Sequence, residues 1–252
     1  MHKLPGFLPI LLAILVTGCP NRAQIVHPDN PRQGLNHALA ALQARKFDKA
    51  EAEFTFIIFN FPGSRQAADA QFYLAETYFQ NHDYIQAQTE YDFYLKSFPN
   101  GRFQEDADYK LAMCYFKTTL KSCRDQTSTL KAREILKEFL TLYHDSKLRP
   151  KAESTLNEIQ RRLTQRDFDV ARLYFKAGEF KSALVYYEYI TIELPTDEWK
   201  AIDRYRLAVC YQETDHTEKA RPILEQLSQE DIPPALKQKA HSRLAMMNDN
   251  DR

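Results

Sequence analysis

Ala52–Ser64 reads AEFTFIIFNFPGS, and the eight residues Phe54–Phe61 hold four phenylalanines and two isoleucines. Aromatic and β-branched density closed by Pro62-Gly63 is how a buried strand announces itself. The preceding Ala38–Ala52, ALAALQARKFDKAEA, is instead built from strong helix formers. Whether Phe54–Phe61 is strand or helix decides the fold.

Self-similarity along the chain answers the question. Alanine markers at 50, 87 and 183 are each followed twelve residues later by Pro62, Pro99 and Pro195. Ala132 is followed at that distance by His144, and Ala220 by Ile232 with Pro233 next. Nine residues before three of these markers stand Tyr78, Tyr174 and Tyr211, each three residues after Ala75, Ala171 or Ala208. Four residues after the markers come Phe54, Tyr91, Leu136, Tyr187 and Leu224. Small residues where paired helices approach, and a proline where the second helix ends, resemble the tetratricopeptide repeat.

Phe54–Phe61 is therefore expected as the second helix of repeat one, with Phe54, Ile57, Ile58 and Phe61 as its core stripe. Phe56 and Phe59 fall on the other side, either packed on a neighbouring element or free for a partner. The marker spacings are 37, 45, 51 and 37 residues, against about 34 for the usual repeat. Two insertions around the third unit account for the excess. One is TTLKSCRDQTST, Thr118–Thr129. The other precedes Tyr174, where no breaker interrupts the chain until Gly178, so one long helix is expected from about Pro150 to Lys176. PPALKQKAHSRLAMM, from Pro233, reads as a capping helix over the last repeat. The expected fold is all-α, an α-solenoid of about five such hairpins with a C-terminal cap, over residues 35–247.

The N-terminus reads differently. MHKLPGFLPILLAILVTGC has a cationic start and an apolar run from Leu4 to Val16, too short to cross a membrane and broken by Pro5, Gly6 and Pro9. Residues 1–18 read as a secretory signal. Val16-Thr17-Gly18-Cys19 resembles the lipobox of bacterial lipoproteins, which makes Cys19 the expected lipidation site; an ordinary signal with a chance cysteine is the alternative. Two acyl chains on Cys19 would hold the chain to a membrane without crossing it. Residues 19–34, with three prolines in the PNRAQIVHPDNPRQ that follows Cys19, read as a flexible tether, and 248–252 as a tail. Cys114 and Cys210 occupy the same place in LAMCY and LAVCY and are expected as core residues, whereas Cys123 falls in a loop.

Lys plus Arg and Asp plus Glu are both 34, so no global basic field exists for nucleic acid. No nucleophile elbow, phosphate loop, HExxH or Cys-x-x-Cys is present, and the histidines are scattered, so neither catalysis nor a cofactor or metal is expected. Charge is nevertheless uneven. Phe47–Asp108 holds 4 basic and 11 acidic residues, −7, and Tyr109–Ser182 holds 16 basic and 9 acidic, +7.

In a repeat of this type the first helices line a groove, and their groove positions are Phe72, Glu76 and Phe79 in unit two, Leu39 and Leu42 in unit one, and Tyr109, Met113 and Phe116 in unit three. With Asp69 and Asp106 beside them, they form an aromatic trough suited to an apolar peptide. The competing reading makes several of these rings repeat core. In the basic half, Arg161, Arg166, Arg172 and Arg204 are candidates for docking an acidic partner face.

The lipobox, the Pro-containing tether and the FPGS/FPNG rhythm (Phe61–Ser64, Phe98–Gly101) combine with three further stretches. These are LAETYFQNHDYIQAQTEYDFYLKSFP (Leu74–Pro99), RDQTSTLKA (Arg124–Ala132) and FDVARLYFKAGEFKSAL (Phe168–Leu184). Together they resemble the BamD family, lipoprotein subunits of the machinery that inserts β-barrels into the bacterial outer membrane. The resemblance implies a lipid-anchored protein facing the periplasm, whose N-terminal repeats bind C-terminal segments of unfolded outer membrane proteins. Its C-terminal repeats would dock the barrel-forming subunit, in company with other assembly lipoproteins. Pro20 departs from the pattern and leaves sorting open. Arg124–Thr127 is either a helix cap through Asp125 or Thr127 or a direct contact. A periplasmic cell-envelope or division coordinator, or a purely structural repeat lipoprotein, are the alternatives.

Overall fold

The computed structural model describes residues 30–119 and 126–250. The signal, Cys19, Pro20, Cys123, Arg124 and Asp125 lie outside the described residues. Among the described residues there are eleven α-helices, one 3-10 turn (Thr196–Glu198) and no strand. Packing divides the chain into two units after Ala70.

The first unit holds α1 (Pro31–Gln43), α2 (Phe47–Asn60) and the start of α3 (Arg65–Gln80). The Asn30 side chain accepts the Arg32 N–H at 2.9 Å and Pro31 occupies the first turn, where a missing N–H costs nothing. Residues 31–34 are thus helix, not tether: the proline read as a linker residue is the helix starter. Phe54–Asn60 belongs to α2, which settles the opening question. Phe54 and Ile57 are fully buried, Ile58 is half-buried, and Phe61 is the residue capping the helix rather than part of its stripe. Gly34 of α1 lets the two helices close, since a Cβ there would lie 3.3 Å from Ile57 Cγ1. Phe56 meets Phe61 edge-on at 6.2 Å, while Phe59 points outward, 77% exposed. Ser64 caps α3, its Oγ accepting the Ala67 N–H at 3.0 Å.

The second unit continues α3 and adds α4 (Tyr84–Ser97), α5 (Gln104–Thr119), α6 (Thr127–Leu142), α7 (Arg149–Lys176), α8 (Phe180–Glu193), α9 (Ala201–Glu213), α10 (Thr217–Gln229) and α11 (Pro234–Asn250). α7 runs uninterrupted for 28 residues, as the absence of a breaker predicts. α11 packs on α10 and buries Leu236, Ala240 and Met247, extending beyond the expected tail boundary. Thr127 is the first residue of α6, not a residue preceding it, and no side chain at Gln126 caps that helix.

The repeat holds at the level of single hydrogen bonds. Within the second unit the carbonyls of Tyr78, Tyr174 and Tyr211 accept the N–H groups of Asp83, Glu179 and His216 at 2.9, 3.0 and 2.8 Å. In the first unit Ala41 and Lys46 make the same bond at 2.9 Å. This is the helix-ending pattern that requires a left-handed residue. Arg45, His82, Gly178 and Asp215, each five residues before its marker alanine, have φ of 55°, 62°, 77° and 63°. Only one of the four is glycine. The marker alanines 50, 87, 132, 183 and 220 are all fully buried. Cys114 and Cys210 are buried, unbridged core residues, and burial pushes the Cys210 thiol up to about 12.

The FPNG turn has a packing reason. A Cβ on Gly101 would fall on Tyr94 Oη and within 2.9 Å of the Phe98 carbonyl oxygen. Tyr94 is buried and its Oη accepts the Phe103 N–H at 3.0 Å, so it cannot simply swing away. Gly101→Ala is expected to destabilise the protein by about 1–3 kcal/mol, read as a lower urea midpoint at unchanged slope.

Candidate functional site

Within the second unit the candidate trough lies on α3 and α5, one helical turn separating successive positions on each. The structure divides the sequence-derived residues by burial. Phe72 and Phe116 are buried, as are Leu42 and Asp69 in the first unit. Glu76, Phe79, Tyr109 and Met113 are half-buried, and so is Leu39 in the first unit.

Phe72 is the centre of the second repeat's core. Its ring stacks on Phe103 at 4.2 Å and meets Tyr91 and Tyr94 edge-on at 5.8 and 5.7 Å. A residue placed on the groove by its spacing is thus covered by Phe103, which follows the α4–α5 turn. Phe116 packs in the third repeat with Leu136 and Ile159, under the Arg162 guanidinium at 4.8 Å. Tyr109 lies 5.9 Å from Phe139. Met113 Sδ accepts the Thr155 hydroxyl at 3.9 Å, so the first half of the long α7 covers the α5 groove face. An ordinary repeat helix would be too short to do this.

What stays accessible is a smaller group. Lys110 Nζ pairs with Glu76 at 2.7 Å and lies over the Phe79 ring at 4.3 Å from its centroid. Glu76 also accepts the Tyr91 hydroxyl. Burial, then the Glu76 charge and this bond, push the Tyr91 phenol well above its ordinary range. Asp106 beside them is raised by burial and by Glu105 and Glu76, against the opposing pull of Lys110. The group brings together an aromatic face, a cation and carboxylates from the facing helices α3 and α5. Spacing signalled Tyr91 only as a repeated position four after its marker alanine and did not signal Lys110, because their bonds to Glu76 are contacts between helices.

The four arginines also separate. Arg161 is exposed and pairs with Glu158 at 2.6 Å; Arg166 reaches Asp167 at 3.4 Å. Arg172, by contrast, holds Asp203 of α9 through two bonds of 2.9 and 2.6 Å. Arg204 is 7% exposed and grips Glu230 at 2.7 and 2.5 Å. The last two are internal clamps joining helices, which corrects their reading as docking residues: their charge is consumed inside the fold. Among the described residues no His/Cys/Asp/Glu group has the arrangement of a metal site, and no helix is long and apolar enough to cross a membrane.

A family model described as outer membrane lipoprotein, YfiO, matches residues 28–226. The chain belongs to this outer membrane lipoprotein family, the one that includes BamD. The match runs from just before α1 into α10, so it covers the repeat architecture described above. Among solved structures the lipoprotein is similar to the TPR2AB domain of yeast Sti1 in complex with pHSP90, at 14% identity over 85% of this chain and 84% of that one, with a TM-score of 0.48. It is also similar to YrrB, a repeat protein with an unusual peptide-binding site (16% identity, 84% and 92% covered, TM-score 0.36). A thermophilic repeat protein from Thermus thermophilus gives 15% identity, 86% and 100% covered, and a TM-score of 0.34. No curated protein matches the chain.

Proposed function

We propose that this outer membrane lipoprotein is a non-enzymatic assembly factor for β-barrel proteins, held to the outer membrane on its periplasmic side by acyl chains on Cys19. It binds segments of unfolded outer membrane proteins at the α3–α5 face and docks the barrel-forming subunit, beside other assembly lipoproteins, through the exposed arginines of α7. Membership in the family that includes BamD carries the reading. The Phe79–Lys110–Glu76 group supports it: the ring receives an apolar side chain, and the ammonium meets a client carboxylate that Glu76 alone would repel. Arg161 and Arg166, in the stretch whose balance is +7, supply the field for an acidic docking face.

Phe79→Ala combined with Lys110→Ala is expected to weaken capture of a barrel-protein C-terminal peptide by about tenfold, the effect of losing one aromatic anchor and its charge partner. A photoreactive residue at position 79 is expected to trap barrel precursors in cells. Unchanged affinity in a variant of native helicity, or no trapped precursor, rejects the client-binding role.

A further inference from the structure

A second trough, away from the α3–α5 face, runs across α6, α7 and α8. A pocket of about 400 Å³ opens there over Leu163, with Leu130 of α6 on one wall and Val185, Tyr186 and Tyr189 of α8 on the other. It adjoins a shallower depression along α6 that shares Leu130 and Arg133. The apolar walls are open to solvent: Val185 is 66% exposed, Leu130 and Tyr189 nearly half. Ile192, one turn beyond Tyr189, is also exposed, so α8 carries an apolar stripe at i, i+4 and i+7 on its outward side. A helix packed on one face alone carries polar residues there, and an exposed apolar patch of this kind marks a contact surface.

The rim decides what fits. Arg133 lines both depressions and Lys137 follows it by one turn of α6. Among the described residues neither is in an ion pair, whereas Lys131 is bound by Glu134 at 2.9 Å and Arg166 by Asp167 at 3.4 Å. Two cations outside any ion pair thus flank an apolar floor, inside the chain's basic stretch, while the carboxylates on the lining, Glu134 and Asp167, are already paired with Lys131 and Arg166. We infer that this trough docks an acidic segment of another protein, its aliphatic or aromatic side chains seated between Leu130, Val185 and Tyr189 and its Asp or Glu residues against Arg133 and Lys137. The inference does not depend on the client-binding role of Phe79 or on the identity of the barrel subunit as partner.

The test uses the full chain and a fluorescently labelled peptide alternating Glu with Leu and Phe. Binding is expected, weakening as salt rises. Arg133→Glu with Lys137→Glu should reduce affinity at least tenfold. Val185→Ser with Tyr189→Ser should do likewise, and because these side chains face solvent the unfolding midpoint stays in place. Ile85→Ser, an exposed apolar change on α4 outside the trough, should leave this peptide's affinity unchanged, which makes the loss specific to the trough. The inference is overturned by failure of the native chain to bind, by equal affinity for a peptide with Gln in place of Glu, or by unchanged affinity in either double variant. Self-association that Val185→Asp abolishes, with no peptide binding, would assign the face to a second copy and likewise overturn it.

Discussion

Asp203→Ala is expected to lower the unfolding free energy by about 3–5 kcal/mol, the cost of removing one partner from a buried ion cluster. The Asp203 carboxylate is 1% exposed and receives Arg172 of α7 through two bonds and Arg206 of its own helix at 2.8 Å. Without it, Arg206 loses its ion-pair partner and Arg172 keeps only the exposed Asp169, both guanidinium groups being half-buried. Burial alone would raise this carboxyl, but the hydrogen bonds and charges of Arg172 and Arg206 outweigh it and hold Asp203 below its ordinary value. Its folded pKa is depressed, so its contribution is complete above the unfolded value of about 3.9 and is lost as pH falls through the folded one. The difference between native and variant should therefore be full at neutral pH and shrink only in acid. Asp169, the exposed second partner of Arg172 at 2.9 Å, is the control: its removal should cost about 0–1 kcal/mol. Chemical unfolding of the three proteins across pH decides the matter, and equal midpoints for native and Asp203→Ala would remove the cluster from the account of stability.

The second large effect concerns Phe72. Phe72→Ala is expected to cost about 3–5 kcal/mol, because it empties a site enclosed by the rings of Phe103, Tyr91, Tyr94 and Tyr73. A lost partner in that variant would report a loosened second repeat and not a missing contact. Phe79→Ala, at a half-buried position whose ring meets Tyr84 at 5.4 Å and the Lys110 ammonium, should disturb the fold less. Urea unfolding of the two variants side by side tests this ordering. A midpoint for Phe72→Ala near that of the native protein would return Phe72 to the candidate surface.

The repeat was readable from residues alone because its signals are local. Buried alanines at fixed distances, closing prolines, tyrosines one turn after Ala75, Ala171 and Ala208, and an unbroken stretch before Gly178 all express helix period and helix length. These are properties of a few neighbouring residues. The same locality placed Phe54–Phe61 in a helix against its own β propensity, since the alanine and proline markers around it agree on the helix.

The tertiary structure decided the rest. The left-handed turns at Arg45, His82 and Asp215 carry no glycine, so only the hairpin geometry identifies them. Phe72 and Phe79 lie on the same stripe of one helix, yet Phe103 covers the first and leaves the second half open. Arg172 and Asp203 are 31 residues apart and Arg204 and Glu230 are 26 apart. Sequence by itself determined which residues face inward along each helix, because a helix's period is intrinsic to its backbone. Which inward-facing rings are sealed, and which charges are consumed, depends on what a neighbouring helix brings opposite, and that is set only when the hairpins pack.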